Sequence, residues 1–281
     1  MCGDPPKPPS GDLPAGPPGG NAAGTGPCCA CPANGDINTN GFSNYFTTTY
    51  SHSNVLTNKG KIAVVRTEEG GTVTVTKTFS LAYAAGATEA ANKATITGAI
   101  ASAMSTWQTN AADYRVQVEQ PGCKPQKLKI LYVGPIVASG GDVAVSVDGK
   151  AAPAPPIPGL RSYVMGGTAM KFYTNGIGDI PWTMVHEIGH TFGLPDEYIY
   201  THPSATAPSF TMKQPPDKTV PLVTSSIAAS SPTTFGFDHD CVMGRNGNTV
   251  YYDYLFYWIA IETKKALAAA GVTAVVKIVP A

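Results

Sequence analysis

Residues 179–198, DIPWTMVHEIGHTFGLPDEY, carry the pattern around which the rest of the chain is interpreted. Asp179 is a suitable helix N-cap, and Pro181 suits the first helical turn, where an N–H group would have no partner anyway. Gly193 can end the helix because glycine readily adopts the left-handed conformation. The stretch therefore predicts a helix over residues 182–192 that ends in a sharp turn.

Two histidines of this predicted helix, His186 and His190, are four residues apart and therefore lie on the same face. Two imidazoles in this arrangement can bind one zinc ion. Glu187 lies beside them, where it can act as the general base for a water molecule that attacks a peptide carbonyl. The alternative is a helix with two ordinary histidines and an exposed acid, but the predicted helix ends favour a catalytic metal site.

A catalytic zinc ion needs a third protein ligand. Gly193 and Pro195 direct the chain out of the helix, so the residue that follows, Asp196, can return to the metal. A carboxylate is a suitable zinc ligand. The alternatives are Glu197, which is its immediate neighbour, and His239, because histidine is a common ligand in such sites.

The extended spacing over residues 186–196, H-E-x-x-H-x-x-G-x-x-D, resembles the metzincin clan of zinc peptidases. Most members of that clan have a third histidine where this chain has Asp196, and snapalysin-type bacterial proteases share the aspartate. Residues 193–198, GLPDEY, also resemble the G-L-x-D-E-Y segment of bacterial immunoglobulin A peptidase-like enzymes. The resemblance implies a zinc endopeptidase that acts on proteins or peptides.

Residues 241–244, CVMG, resemble the second mark of this clan, a methionine in a tight turn beneath the metal, followed by a helix. The resemblance implies that Met243 forms an apolar floor and does not bind zinc, whereas the alternative is an ordinary core methionine. Many members have a tyrosine two residues after the methionine, where this chain has Arg245. Tyr251 and Tyr252 are therefore the candidates for stabilising an oxyanion.

Hydrophobic periodicity predicts an α+β fold for the rest of the chain. Predicted strands cover residues 61–67, 72–81, 115–119, 127–133, 142–147 and 162–173, and further predicted helices cover 88–109 and 253–270. The polar, proline-rich residues 201–232 are expected to form an irregular loop. This order resembles a zincin or metzincin-like catalytic domain, with a twisted mixed sheet, an active-site helix, a Met-turn and a C-terminal helix. The resemblance implies that substrate lies antiparallel along an edge strand, for which residues 142–147 are the candidate.

Composition divides the chain into an arm, residues 1–40, and one domain, residues 41–281. The arm is mostly Pro, Gly, Ala and Asn, and such a segment cannot bury enough apolar surface to offset its ordering entropy. Its first cysteine lies in a Cys-Gly-Asp-Pro segment that resembles the cysteine switch of matrix metalloproteases, which suggests a latent state. The cysteines of the arm that could supply this thiolate are Cys2, Cys28, Cys29 and Cys31. In the domain, Cys123 and Cys241 either pair with each other or are two separate thiols.

Charge and hydropathy exclude several classes of partner. The formal net charge is zero and 14% of residues are charged, so no basic patch predicts binding to nucleic acid. No apolar run approaches the roughly 18 residues of a membrane span. A calcium ion is conceivable but has no ligand motif here.

The composition, rich in Thr, Ser, Ala, Gly and Asn, favours an extracellular, monomeric protein. The N-terminus has no secretory signal pattern. We therefore expect the protein to be exported by a route that needs no signal peptide. One alternative is a bacterial secretion-system effector with the same protease domain and an inhibitory or immunity partner. The other is a non-catalytic binding module on a protease-like fold, against which the intact Glu187 argues.

Overall fold

The computed structural model describes residues 35–38, 46–48, 59–67, 70–84, 89–151, 162–175, 180–194, 196, 198–199, 210–214, 218–222, 237–238, 241–244 and 247–281. This part of the chain forms an α+β fold with mixed sheets and three α-helices. None of these helices is both long and apolar enough to cross a membrane.

The strands are numbered in chain order. They are β1 (Gly35–Asn38), β2 (Phe46–Thr48), β3 (Lys61–Thr67), β4 (Gly70–Thr76), β5 (Phe79–Tyr83), β6 (Tyr114–Glu119), β7 (Gln126–Val133), β8 (Ile136–Val137), β9 (Val143–Ala151), β10 (Tyr163–Met165), β11 (Ala169–Asn175), β12 (Tyr198–Ile199), β13 (Phe210–Gln214), β14 (Lys218–Leu222), β15 (Phe237–Asp238) and β16 (Val275–Pro280). The α-helices are α1 (Glu89–Ala111), α2 (Ile180–Thr191) and α3 (Tyr257–Ala269), and a 3₁₀ turn over Asp253–Phe256 precedes α3.

Two larger sheets carry the fold. The six-stranded sheet has the order β1-β3-β4-β7-β6-β16, and the five-stranded sheet has the order β10-β11-β9-β5-β8. In the five-stranded sheet, β8, β5, β9 and β11 are parallel, and β10 pairs antiparallel with β11 at one edge. Two small sheets, β12-β15 and β14-β13-β2, complete the described strands.

Strands β3 and β4 form a hairpin, with antiparallel pairing from Lys61↔Thr76 to Thr67↔Gly70. The predicted strand 72–81, however, is two strands, because the chain passes from one sheet to the other at Lys77. There the Lys77 N–H donates to Val133 O (2.9 Å) and the Phe79 N–H donates to Pro135 O (3.0 Å). Buried Lys77 therefore lies at the junction between the two larger sheets.

Helix α1 packs against α2. The apolar side chains on one face of α1 are buried: Ile96, Ile100, Met104 and Trp107. The Trp107 indole Nε1–H donates to Val185 O (3.1 Å), on the residue before His186. A buried aromatic side chain from one helix thus fixes the depth at which the other helix lies.

The prediction that residues 142–147 form an edge strand is wrong. Residues 143–147 belong to β9, which lies between β11 and β5 and pairs in parallel with both, and Asp142 directly precedes that strand. The alternation of buried Val143, Val145 and Val147 with more exposed neighbours arises because one face of the sheet is buried. Alternation therefore reports the burial of a face and carries no information on lateral neighbours. The edges of this sheet are β10 and β8.

Three other segments differ from expectation. Within the predicted loop 201–232, β13 and β14 form an antiparallel hairpin, and Pro221 is accommodated because β14 is an edge strand. The C-terminal strand β16, which was not predicted, pairs with β6. Strand β1 lies inside the predicted arm, so the six-stranded sheet begins before residue 41. Residues 1–34 lie outside the described residues, and so do the four arm cysteines.

The two cysteines of the domain do not pair with each other. Cys123 is disulfide-bonded, whereas Cys241 is a buried thiol. The hypothesis of a cysteine-based latent state stays a prediction, since it concerns residues outside the described part of the chain.

Candidate metal centre

Helix α2 and the turn after it bring together the three predicted metal ligands. His186 and His190 are buried on α2, whereas the Asp196 side chain is 47% exposed. The Asp196 Oδ1 atom lies 3.0 Å from His186 Nε2 and 3.2 Å from His190 Nε2. One ligand atom from each of the three residues lies within 4.8 Å of the others, which is compact enough to hold one metal ion.

The turn that returns Asp196 follows from the glycine predicted to end the helix. Gly193 has φ +88°, in the left-handed region that favours glycine. Its N–H donates to His190 O (3.0 Å), and the Leu194 N–H donates to Gly189 O (3.3 Å). These bonds close the end of α2, so three residues suffice to bring a carboxylate back to the histidines.

Backbone carbonyls orient both imidazole rings. His186 Nδ1 lies 2.9 Å from Val242 O, and His190 Nδ1 lies 2.7 Å from Leu194 O. A carbonyl oxygen only accepts, so each Nδ1 must carry a proton. Each Nε2 faces Asp196. With the proton on Nδ1, each ring is in the tautomer that can bind a metal ion through Nε2. The residues therefore fit a divalent metal of the kind that imidazole and carboxylate ligands bind.

A residue that sequence analysis did not single out, Trp182, adds a third contact to His186. The two rings are stacked with centroids 4.9 Å apart, and the Trp182 Nε1–H donates to Asn248 O (2.7 Å). The spacing of four residues to His186 was the available signal, since it places both side chains on one helix face. Trp182 therefore links the first ligand to the segment that follows the Met-turn.

The charges of the site are strongly coupled. Burial disfavours the charged form of Asp196, but His190 and His186 hold the pKa of its carboxyl well below the usual range. Burial also acts to lower the pKa of His190, but the Asp196 carboxylate, with a contribution from Glu187, raises this pKa to about 9. In the metal-free protein near pH 7, His190 is therefore protonated, and its positive charge compensates the negative charge of Asp196.

We expect zinc binding to displace this proton, so the apparent affinity should depend on pH. Because the pKa of His190 is about 9, affinity should rise about tenfold per pH unit from pH 7 and level off above pH 9. Competition with a chromophoric chelator at each pH measures this slope. The same proton stabilises the metal-free fold below pH 6.5, the ordinary pKa of histidine, and that stabilisation is lost as pH rises through about 9. An affinity that does not change between pH 7 and 9 would contradict this protonation state.

Met243 lies in a tight turn close to α2. The Gly244 N–H donates to Cys241 O (2.8 Å) to form a tight turn, and the Met243 side chain is fully buried. A Cβ atom added at Gly189 would overlap Met243 Sδ and approach Trp107 Cζ2 to 3.1 Å. Met243 and Trp107 therefore pack directly beneath the metal-binding helix.

Replacing Gly189 by alanine is expected to destabilise the protein by about 1–2 kcal/mol, even though alanine normally favours a helix by about 1 kcal/mol. The cause is the overlap with Met243. Gly98→Ala in α1 is the matched control, because its Cβ would meet nothing within 4 Å and should be neutral or stabilising. Urea denaturation of both metal-free variants measures the difference, and equal stabilisation by the two changes would refute the close packing of Met243.

Glu187 is 5% exposed, next to the first ligand on α2. Its carboxylate acts on the pKa of His190, so it lies within electrostatic range of the three-residue group. This position agrees with the general base that the sequence predicts, although the role itself stays a prediction.

The two tyrosines proposed as oxyanion stabilisers have other surroundings. The Tyr251 ring packs edge-on against Trp107 with centroids 5.2 Å apart, and its hydroxyl is buried. Tyr252 is stacked on Tyr254 with centroids 5.5 Å apart. Burial raises the pKa of the Tyr251 hydroxyl well above its ordinary value. The role of both residues stays a prediction.

The alternative ligands Glu197 and His239 lie outside the described residues. No protein-family model matches the chain, and no characterised protein matches its sequence.

Proposed function

We propose that this protein is a zinc-dependent endopeptidase of metzincin type. The observation that carries the proposal is the convergence of His186 Nε2, His190 Nε2 and Asp196 Oδ1 within 4.8 Å. Both rings are oriented by backbone carbonyls, which a chance cluster of polar side chains would not require. The order of elements, from α1 through the mixed sheet to α2, the turn at Met243 and α3, also supports it.

Each residue of the site has a distinct task in this mechanism. His186, His190 and Asp196 would hold the zinc ion, which would supply Lewis-acid polarisation of the peptide carbonyl and would lower the pKa of the attacking water to about 7. Glu187 takes a proton from that water and returns it to the leaving amine. Met243 and Trp107 keep α2 at a fixed depth, so the three ligands and Glu187 remain aligned.

The proposed substrate path runs along β10 and replaces the rejected path along residues 142–147. β10 is an edge of the five-stranded sheet and lies near α2. An extended peptide can add to such an edge as a further antiparallel strand, with main-chain hydrogen bonds supplying affinity. Met165, 61% exposed on β10, is a candidate contact for a substrate side chain.

We further propose that the enzyme acts outside the cytosol. The disulfide at Cys123 supports this location, because structural disulfides persist mainly in oxidising compartments. The route of export stays open between signal-dependent and signal-independent secretion.

Elemental analysis of wild type and His186→Ala, combined with a cleavage assay on casein and a mixed peptide library, tests the proposal. We expect about one zinc per chain in wild type, lost in the variant. Cleavage should stop with a chelator and return when zinc is restored. No zinc in wild type would overturn the proposal, and bound zinc without any cleavage would indicate a metal-binding protein of another class.

A further inference from the structure

Lys77 is a buried basic residue that the proposed mechanism does not use. It is 1% exposed and lies at the junction between β4 and β5. Its Nζ donates to Thr191 O (2.6 Å), at the end of α2, and to Lys59 O (2.5 Å). The same ammonium group lies 5.5 Å from the centre of the Phe192 ring. Lys77 thus connects the sheet junction to the end of the metal-binding helix.

The contact between Lys77 and Thr191 O lies at the C-terminal end of α2. The last carbonyls of a helix lack partners within it and attract a positive charge, because the C-terminal end carries a partial negative charge. Thr191 directly follows the ligand His190, and the turn at Gly193 that returns Asp196 begins two residues later. The hydrogen bond from Lys77 to Thr191 O therefore fixes the backbone where α2 ends and the chain turns back toward Asp196.

The backbone of Lys77 and its neighbour Thr78 are also held by hydrogen bonds. The Lys77 N–H donates to Val133 O, which ties the residue to β7. Its neighbour Thr78 donates from both N and Oγ1 to Asp142 Oδ2, at 2.8 Å each. The carboxylate of Asp142 also partly offsets the burial of the ammonium group. Lys77 therefore links the end of α2 to both larger sheets.

Burying this charge is unfavourable for the fold. Burial lowers the pKa of Lys77 to about 7, against the opposing effect of Asp142. An apolar side chain of similar length would fill the space without that desolvation. A lysine here is better explained by the two carbonyls it holds in place than by packing alone.

We propose that Lys77 is a positioning residue of the metal centre, which fixes the end of α2 so that His190 and Asp196 converge on one metal ion. This inference rests on the proposed metal site, and it extends that site to a residue 114 positions before Thr191. Lys77 acts in this role through the backbone of Thr191.

The test compares Lys77→Met with Arg66→Met in the full chain. Arg66 is equally buried but lies at the other end of the β3–β4 hairpin, where it donates to Gln126 Oε1 (2.6 Å). Both changes should lower thermal stability. Lys77→Met should also weaken zinc binding by about 10- to 100-fold, as loss of a supporting contact typically does, and should alter the visible spectrum of bound Co²⁺. Arg66→Met should change neither.

Three outcomes are decisive. Wild-type zinc affinity and an unchanged Co²⁺ spectrum in Lys77→Met would overturn the positioning role alone. An equal loss in Arg66→Met would also overturn it, because general loosening would then explain both. Absence of zinc from wild type would overturn the proposed function and the role of Lys77 together. If Lys77→Met does not fold, Lys77→Gln, which is uncharged but polar, is measured with the same outcomes.

Discussion

Replacing Glu187 by glutamine is expected to slow peptide hydrolysis by about 10²- to 10⁴-fold, while zinc content stays at the wild-type value. Glutamine has nearly the same shape but cannot accept the proton of the attacking water. Because Glu187 is not one of the three residues whose ligand atoms converge, the metal should remain bound. Cleavage rates at saturating peptide, measured beside elemental analysis of the same samples, test both halves of this prediction.

Glu262→Gln provides the matched control for this change. Glu262 is also a buried glutamate on a helix, 2% exposed in α3, with an ion pair to Lys265. Its replacement removes a buried carboxylate away from the site, so the cleavage rate should remain near that of wild type. A Glu187→Gln enzyme with the wild-type rate would rule out Glu187 as the general base, whereas a wild-type protein that binds peptide without cleaving it would favour a binding module on a protease-like fold.

The proximity of His186, His190 and Asp196 could be predicted because their geometry is local. His186 and His190 are one helical turn apart, and Gly193 needs only three further residues to bring back Asp196. Helix periodicity and a left-handed glycine are readable from sequence, and together they determine where these side chains point. The same reasoning holds for the buried face of α1, since its apolar spacing is also local.

The support around the ligands could not be predicted, because it comes from distant segments. Val242 O, which orients His186, is 56 residues away, and Lys77 is 114 residues from the carbonyl it holds. A backbone carbonyl has no sequence signature, and a lysine between two strands is usually expected at a solvent-exposed position. Only the packing of the sheet junction against α2 identifies these contacts.

Local sequence patterns likewise could not predict which strands lie next to each other. The alternation in β9 correctly indicated a strand with one buried face, but its place between β11 and β5 depends on which other strands pair with it. β16 is almost entirely apolar, with Lys277 as its one charged residue, and its pairing with β6 involves segments more than 150 residues apart. The α+β class was accessible from sequence, whereas the order of strands required tertiary structure.

Replacing Asp196 by alanine is expected to weaken zinc binding by at least about 100-fold, the upper end of the cost of losing a partner of the ligands. Two histidines alone would then hold the metal. Asp196→His should retain zinc, because an imidazole is also a suitable third ligand. Competition with a chromophoric chelator measures each affinity. Glu197→Ala and His239→Ala are the controls, and each should bind zinc as wild type does.

A second measurement separates loss of a ligand from general disruption of the site. In metal-free Asp196→Ala, the pKa of His190 should fall from about 9, because the carboxylate that raises it is gone while burial still lowers it. An NMR titration of the His190 ring would record this fall if the fold is intact. Wild-type zinc affinity in Asp196→Ala, with zinc lost from Glu197→Ala or His239→Ala, would instead identify one of those residues as the third ligand. The convergence of Asp196 on both Nε2 atoms, at 3.0 and 3.2 Å, is the physical reason to expect the first result.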